Sequence, residues 1–350
     1  MPSPERCGCF HQEVAVRLAV SLILLPAVLS AQAPTAVSEW KVPWPDTRPR
    51  DPAVAPDGRV WFVGQAGNYV AVLDPRTGAF RRYEIDPGTH PHNLIVAPDG
   101  GVWYSGNRNG MIGRLDPATG EVRRYPMPEK DLTDPHTQVF DKNGNIWFTL
   151  QGSNAVGYLD TKSGSVRVVR VPTGGSRPYG IALDSKGRPW FDEFGTNKVG
   201  TIDPATFQLK EYTIPDAGAR PRRIVITPDD RVFVGDYAGG KLIALDPVTG
   251  KFEEWQNPGG IRSAPYAMTG DDRGRVWQAE TGPQPNRMVS FDPRTRKFGT
   301  PVPISESGGI VIRHMVFDPN TRSIWFGTDA GTIGRLSLAA VEGAEIRTTP

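Results

Sequence analysis

The chain has 350 residues, and its 40 lysines and arginines almost balance its 38 aspartates and glutamates. This balance excludes the strongly basic surface with which proteins hold nucleic acids or anionic membranes. The 39 glycines and 34 prolines recur at fixed places in a repeat, so they indicate turns rather than a low-complexity tract.

The N-terminal segment has the layout of a secretory signal. Arg17 precedes the apolar run Leu18–Leu29, and small residues follow it up to Ala33. A run of about a dozen residues is too short to span a bilayer. We predict a signal peptide over residues 1–31 and a periplasmic or secreted protein, with an uncleaved anchor as the alternative. Both cysteines lie in this segment, so we predict a mature protein without disulfides, Cys-metal sites or Cys nucleophiles.

From residue 38 onward, a unit of about 43 residues occurs seven times. A unit of this length cannot bury its own apolar face, so neighbouring copies must pack on one another. Unbroken repetition indicates one domain rather than the two or more that length alone allows. The anchor of each copy is an aromatic residue, in chain order Trp61, Trp103, Trp147, Trp190, Phe233, Trp277 and Trp325.

Each copy contains four short strand patterns and no helical period. In the fourth copy, Tyr179–Leu183 leads into a Lys-Gly hairpin turn, the second strand carries the anchor, and Val199–Ile202 ends at Asp203-Pro204. Leu209–Pro215 supplies the fourth strand. Such copies predict an all-β fold, a seven-bladed β-propeller of four-stranded antiparallel blades.

The last copy contains only three clear strands, so its fourth strand must come from elsewhere. Ser38–Pro45, before the first copy, matches the fourth-strand pattern. We predict that this N-terminal strand closes the ring and covers its open edge, with Ala344–Arg347 as the competing candidate. The predicted propeller spans residues 38–338, followed by a C-terminal tail over residues 339–350.

Two polar rings are predicted around one mouth of the central channel. The first two strands of a blade form a hairpin, so the start of the first and the end of the second meet opposite the turn. The first-strand ring reads Arg50, His92, His136, Tyr179, Arg222, Tyr266 and Arg313. The second-strand ring, three or four residues beyond each anchor, reads Gln65, Asn107, Gln151, Glu193, Asp236, Glu280 and Asp329. Polar, titratable positions are not typical of a packed core, so we predict a functional site here.

The histidines beyond the predicted signal support this site. All four fall at or within two residues of the first-strand ring, at His90, His92, His136 and His314. A lone histidine is more often structural, but four in one phase of the repeat favour a functional role for His92 and His136.

A metal site is also predicted there. Asp134 and His136 lie two residues apart, on one side of a strand start, and Glu193 lies on the neighbouring blade. Oxygen ligands favour Mg²⁺ or Ca²⁺ over zinc. The alternative role for Asp134 is that of a turn cap.

The blade formula resembles that of the virginiamycin B lyases (streptogramin lyases), which are seven-bladed propellers. The similarity spans roughly residues 38–338 and is carried by segments such as Pro178-Tyr-Gly, Trp190-Phe-Asp-Glu and Asn197-Lys-Val-Gly. That family builds its site from a Pro-His, then a Glu-Pro-His with a Glu after Trp-Phe, then a Pro-Tyr-Gly on three consecutive blades. The matching segments here, in the same order but in blades two to four, are Pro91-His92, Asp134-Pro-His136 with Gln151, and Pro178-Tyr179-Gly180.

The resemblance implies an elimination that consumes no water. His136 would be the general base on an α-hydrogen beside an ester carbonyl, with Tyr179 also catalytic and His92 helping to protonate a leaving alkoxide. Mg²⁺, with Ca²⁺ as the alternative, would stabilise the enolate on Asp134, Gln151 and, as a substitute ligand, Glu193. Two residues depart from the family pattern: Asp134 is shorter than Glu, and Gln151 carries no charge.

The expected partner is a small ester- or lactone-containing substrate, bound by a monomer with no nucleic-acid or membrane partner after signal cleavage. We assign the remaining polar mouth positions to substrate binding: Arg50, Arg222, Tyr266, Glu280, Arg313 and His314. Two alternatives are a non-catalytic propeller that binds a ligand or partner at this mouth, and a metal-dependent lactone hydrolase of the six-bladed calcium class. Seven anchors argue against the second.

Overall fold

The computed structural model describes residues 1–3, 8, 35–304 and 307–348. Residues from 35 onward form one compact unit. The predicted signal peptide lies almost wholly outside the described residues. In the part of the chain that is described, no helix has the length and apolar content needed to cross a lipid bilayer.

The described residues form seven sheets, one per repeat, which confirms the predicted all-β propeller. The first strands contact one another around the ring, and the last of them returns to the first. They are β2 (Pro49–Val54), β6 (Pro91–Val96), β10 (Pro135–Phe140), β14 (Pro178–Leu183), β18 (Pro221–Ile226), β22 (Pro265–Gly270) and β27 (Ile312–Asp318). The second strands are β3 (Val60–Gly64), β7 (Val102–Gly106), β11 (Ile146–Leu150), β15 (Pro189–Glu193), β19 (Val232–Asp236), β23 (Val276–Glu280) and β28 (Ser323–Thr328).

The outer half of each blade consists of the third and fourth strands. The third strands are β4 (Tyr69–Asp74), β8 (Met111–Leu115), β12 (Ala155–Leu159), β16 (Lys198–Ile202), β20 (Lys241–Leu245), β24 (Arg287–Asp292) and β29 (Thr332–Ser337). The fourth strands of blades one to five are β5 (Ala79–Glu84), β9 (Val122–Pro126), β13 (Val166–Arg170), β17 (Leu209–Thr213) and β21 (Phe252–Gln256). In blade six two short pieces, β25 (Lys297–Phe298) and β26 (Val302–Pro303), both pair with β24. A short 3₁₀ turn, Gly260–Arg262, precedes β22.

The N-terminal strand closes the ring, as predicted. β1 (Val37–Lys41) pairs antiparallel with β29 and becomes the fourth strand of blade seven. Trp40 stacks on the anchor Trp325 at 5.3 Å between ring centroids. Glu39 also accepts a hydrogen bond from the hydroxyl of Thr332 at 2.7 Å. The chain that precedes the first blade is therefore an integral part of the last one.

The alternative prediction, in which Ala344–Arg347 closes the ring, is wrong because the chain after β29 is helical. Helix α1 runs from Leu338 to Thr348, where a tail was expected. Leu338 and Val341 pack into the core of blades six and seven. Glu342 accepts hydrogen bonds from Arg275 at 2.8 Å and Arg322 at 3.2 Å, which ties the helix to both blades.

The core lies between adjacent blades rather than within one. Trp61 and Tyr83 of blade one share a cluster with Leu94 and Tyr104 of blade two. The seven anchors are all buried, and most stack on an aromatic of the fourth strand, as Trp61 does on Tyr83 at 5.3 Å. This lateral packing is what a unit of this length requires, because a single blade cannot cover its own faces.

Candidate functional site

A bulge at the start of every first strand shapes the channel mouth. In blade two, Pro91 pairs with Gly106, but the register resumes only at Leu94, opposite Tyr104. His92 and Asn93 are left between these pairs, and the same shift occurs in all seven blades. Bulges redirect side chains, and here each supplies two residues to the channel. The first residue of each pair belongs to the predicted first-strand ring, which we call the mouth ring. The second residues form a set that we call the channel layer: Asp51, Asn93, Thr137, Gly180, Arg223, Ala267 and His314.

The predicted catalytic residues do lie together. The ring centroids of His92 and His136 are 3.6 Å apart, and those of His136 and Tyr179 are 4.1 Å apart. All three residues are at most 5% exposed. The Tyr179 hydroxyl makes a short hydrogen bond with the hydroxyl of Tyr266, two blades further on. These four rings form a continuous row across the mouth.

Both histidines of this row are uncharged near neutral pH. Burial lowers the pKa of His136 well below its usual value, and the charges of Arg223 and Arg50 lower it further. The pKa of His92 is also lowered well below its usual value, by burial and by the charge of Arg50. Nδ1 of His136 lies 2.9 Å from the hydroxyl of Thr137, which also accepts a hydrogen bond from Arg223 at 2.9 Å. Neutral imidazole is the form that can take a proton.

Arg223 crosses the channel layer from blade five. Its Nη2 lies 3.4 Å from Oδ2 of Asp51 in blade one, and its Nε donates to the carbonyl of Arg313 in blade seven at 3.1 Å. Asn93 donates a further hydrogen bond to Asp51 at 2.9 Å. Burial alone would raise the pKa of Asp51, but the charges of His314 and Arg223 hold it well below the ordinary value. The channel beneath the mouth is thus filled by a charged network that sequence analysis missed.

Four aromatic rings surround the guanidinium of Arg222. Its centre lies 3.6 Å from the ring of Tyr266, 4.6 Å from each of Phe194 and Tyr237, and 5.2 Å from Tyr179. Burial alone would raise the pKa of Tyr266, but arginines led by Arg50 and Arg222 lower it to about 7.

The remaining predicted mouth residues divide into two groups. Arg313 binds Asp329 with Nε at 2.9 Å and Nη2 at 2.6 Å, and Arg50 donates to Gln65 at 3.0 Å, so these belong to the mouth. Glu280, in contrast, accepts from the backbone of Gly259 at 2.8 Å and lies against Arg287. The substrate-binding assignment of Glu280 is therefore not supported by its contacts.

Glu280 differs from the mouth residues because the predicted second-strand ring combines positions at two different distances from the anchor. Gln65, Asn107, Gln151 and Asp329 follow their anchors by four residues, whereas Glu193, Asp236 and Glu280 follow by three. Successive residues of a strand point to opposite faces, so an offset of one turns the side chain away. At offset four, blades four and five carry Phe194 and Tyr237, two rings around Arg222. A constant offset from the anchor would have found them.

The predicted metal ligands do not form a shared site. Both oxygens of Asp134 are occupied: Oδ1 accepts from the backbone and the hydroxyl of Ser153 at 3.1 and 2.8 Å, and Oδ2 accepts from the backbone of Gly152. Glu193 accepts a hydrogen bond from Thr196 at 3.3 Å, and burial beside the carboxylate of Glu211 raises its pKa to about 8.

A protonated, turned-away Glu193 and a loop-capping Asp134 do not fit a divalent cation. Gln151 is half-buried and brings no charge. Across residues 35–304 and 307–344, no three His, Cys, Asp or Glu side chains are grouped to hold a metal ion. The Mg²⁺ or Ca²⁺ inferred from the sequence stays a prediction.

Comparisons with known proteins agree with the fold. The model of the virginiamycin B lyase family matches residues 27–288. Among solved structures, a streptogramin B lyase is 26% identical with a TM-score of 0.77, covering 85% of this chain and 96% of that one. The virginiamycin B lyase from Staphylococcus aureus is also 26% identical, with a TM-score of 0.78 and coverage of 86% and 99%.

More distant structures share the fold alone. The hydrazine synthase of Kuenenia stuttgartiensis is 16% identical with a TM-score of 0.70, covering 85% of this chain and 98% of that one. Among curated protein sequences, none matches this chain significantly. The family match spans well over half of the chain, and the chain therefore belongs to the virginiamycin B lyase family.

Proposed function

We propose that this chain is an exported carbon–oxygen lyase that opens an ester or lactone by elimination, with His136 as the general base. The observation that carries the proposal is the contact of His136 with His92 and Tyr179 at the mouth, with ring centroids 3.6 and 4.1 Å away. Membership of the virginiamycin B lyase family supports the reaction class.

The tautomer of His136 decides whether it can act as a base. When Nδ1 carries the ring hydrogen and donates it to Thr137 Oγ1, 2.9 Å away, Nε2 is unprotonated and can accept a proton. That hydroxyl oxygen has two lone pairs, so it can accept from His136 and from Arg223 together. Thr137 is therefore a positioning residue that Arg223 holds in place.

The elimination balances without water. His136 Nε2 removes the hydrogen on the carbon next to a carbonyl as a proton, and the electron pair of that C–H bond becomes a C=C bond. The C–O bond on the adjacent carbon breaks, and its electron pair stays on oxygen. Where that oxygen belongs to an ester, the leaving group is a carboxylate and needs no proton.

This outcome changes the role expected for His92. A neutral imidazole with a strongly lowered pKa has no readily donated proton at neutral pH. A carboxylate leaving group does not require one either. We therefore give His92 the task of holding the His136 ring by stacking, rather than that of a general acid. The proposal also omits a metal step, because Asp134 and Glu193 use their carboxyl groups elsewhere.

Product mass distinguishes elimination from its rivals. One solved relative is a catalytically inactive virginiamycin B lyase crystallised with quinupristin, so quinupristin is the first substrate to test, followed by other cyclic depsipeptides and lactones. In ¹⁸O-labelled water, elimination gives a ring-opened product of unchanged mass without label. Hydrolysis adds one labelled water and would reject the proposal. Binding without turnover across the panel would favour the non-catalytic propeller.

The base is tested by His136→Ala, which should lower kcat by about 10²–10⁴-fold. His90→Ala is the matched control, since His90 lies at the same mouth, half-buried, but outside the row of rings. It should change kcat by less than about twofold. Equal losses in the two variants would contradict the assignment.

A further inference from the structure

We propose that the mouth ring contains a carboxylate-binding subsite, formed by Arg50 and Arg222 beside the Tyr179–Tyr266 pair. The ligand would be a carboxylate on an organic molecule, held next to His136. The inference rests on the proposed function for the position of the substrate, but binding can be measured without turnover.

Unpartnered donors point to a missing acceptor. Arg50 is only 4% exposed, and its Nη2 finds no hydrogen-bond acceptor among the described residues. The Nε of Arg222 is likewise buried without an acceptor in the described part of the chain. A buried donor without an acceptor is destabilising, by about 1–3 kcal/mol for a neutral group and more for a charged one. In native structures a ligand, an ion or an ordered water supplies the acceptor for such donors.

Positive charge exceeds negative charge at the same place. Arg50, Arg222, Arg223 and Arg313 all act on Tyr266. The carboxylates that pair with these arginines are those of Asp51 and Asp329. Four guanidinium groups therefore face two carboxylates.

Asp192 does not restore the balance. Its carboxyl is buried near Arg223, and burial raises its pKa to about 7, so it carries only part of a charge at neutral pH. The lowered pKa of the Tyr266 phenol is the response expected of a titratable group in an excess of positive charge. An anionic ligand would complete the balance.

The chemistry around these donors favours an organic carboxylate. Guanidinium groups bind planar carboxylates through two parallel hydrogen bonds. The rings of Phe194 and Tyr237, which flank Arg222 at 4.6 Å, offer flat apolar contact for the carbon skeleton. The guanidinium of Arg222 lies 5.2 Å from the ring of Tyr179, whose centroid is 4.1 Å from that of His136, so the subsite adjoins the base.

This carboxylate has two conceivable sources: a group that the substrate carries from the start, or the acid that elimination at an ester releases. Benzoate is a suitable probe, with benzamide as its uncharged counterpart, measured by calorimetric titration of the whole chain. We expect benzoate to bind at least about tenfold more tightly than benzamide. Arg50→Gln and, independently, Arg222→Gln should each weaken benzoate binding by about tenfold or more.

Arg108→Gln is the matched control, because Arg108 is exposed at the same mouth and its substitution removes the same charge. It should change benzoate affinity by less than about twofold. Equal binding of benzoate and benzamide, no benzoate binding up to about 50 mM, or an equal loss in Arg108→Gln would overturn the subsite. Thermal unfolding shows whether Arg50→Gln is folded, and Arg222→Gln provides the test if it is not.

Turnover separates the two sources and the two proposals. If the substrate carries the carboxylate, Arg222→Gln raises KM, and the methyl ester of that group is a poor substrate. If the reaction releases it, Arg222→Gln lowers kcat, and the acid product competes with benzoate. Elimination without benzoate binding defeats the subsite alone, whereas selective benzoate binding without elimination defeats the proposed function alone.

Discussion

Arg223 and Asp51 meet inside the channel although 172 residues separate them, with Nη2 of one 3.4 Å from Oδ2 of the other. Both are at most 3% exposed, and both have a left-handed backbone, with φ of 74° and 46°. A non-glycine residue in this region costs about 1–3 kcal/mol, which the surrounding structure must offset. The bulges of blades one and five are therefore held in this form by the ion pair and its hydrogen bonds.

Removing one partner of this pair should be strongly destabilising. Asp51→Asn leaves Arg223 buried without its counter-charge, so we expect the free energy of unfolding to fall by about 3–5 kcal/mol. Urea unfolding measures the change. Arg76→Gln, which disrupts an exposed pair with Asp74, is the control and should cost less than about 1 kcal/mol. A loss below about 1 kcal/mol in Asp51→Asn would show that the pair does not hold the bulges.

Tyr266 should ionise near neutral pH. Its pKa lies at about 7, so the tyrosinate absorbance in the near ultraviolet should show one early step, well before the other tyrosines titrate. Tyr266→Phe should abolish this step. Arg222→Gln removes a nearby positive charge, so it should move the midpoint upward. An early step that persists in Tyr266→Phe would assign it to another residue.

The three buried histidines should lower the stability on mild acidification, whereas Asp192 and Glu193, whose raised pKa values favour the folded protein as pH falls, act in the opposite direction. Burial lowers the pKa of His314 to about 4 from 6.5, despite the opposing charge of Asp51, and His92 and His136 shift in the same direction. Between these values the unfolded chain binds the proton and the folded chain does not, so unfolding is favoured as pH decreases. His314 alone accounts for up to about 3 kcal/mol at the lower limit.

This effect can be assigned to His314 by comparing urea midpoints across the same pH range. Between the folded and unfolded pKa values of His314, the urea midpoint should depend less steeply on pH in His314→Gln than in the unchanged protein. The midpoints of the two proteins are first matched at pH 8. Identical slopes would show that His314 is not the responsible group.

The closing strand should carry a large share of stability. Trp40→Ala removes the ring that stacks on Trp325, which we expect to cost about 3 kcal/mol. Thermal or urea unfolding measures the loss. Ser38→Ala, in the same strand β1, should stay within about 0.5 kcal/mol of the unchanged protein. Similar values for the two variants would contradict a specific role for the stack.

Asp134 provides a test between a loop cap and a metal ligand. Asp134→Ala removes the acceptor for the backbone and hydroxyl of Ser153, so it should cost about 1–3 kcal/mol with or without Mg²⁺. Asp131→Ala, which removes an exposed partner of Arg170, is the control. A loss of stability that appears only when Mg²⁺ is present would instead support Asp134 as a metal ligand, as predicted from the sequence.

The repeat was sufficient to predict the blades, the anchors and the closing strand, because each depends on a pattern that recurs at a fixed interval. The row formed by His92, His136 and Tyr179 also followed from one shared phase. The predicted place of Glu193 at the mouth is not supported, because this residue follows Trp190 by three residues rather than four. Its side chain therefore points to the opposite face of the strand.

Arg223 could not have been found in this way. Its partners lie on blades one, three and seven, and its backbone is left-handed. A repeat alignment compares equivalent positions, but it does not show which of them meet across a closed ring.

The pairing of β1 with β29 also sets an order for folding. Val37–Lys41 belongs to the earliest part of the ring to be synthesised, and its partner Thr332–Ser337 to the latest. Blades one to six can each pair their own strands as they emerge, but blade seven needs both extremities of the ring. A contact of such long sequence separation is slow to form. The ribosome must therefore release almost the whole chain before the circle can close.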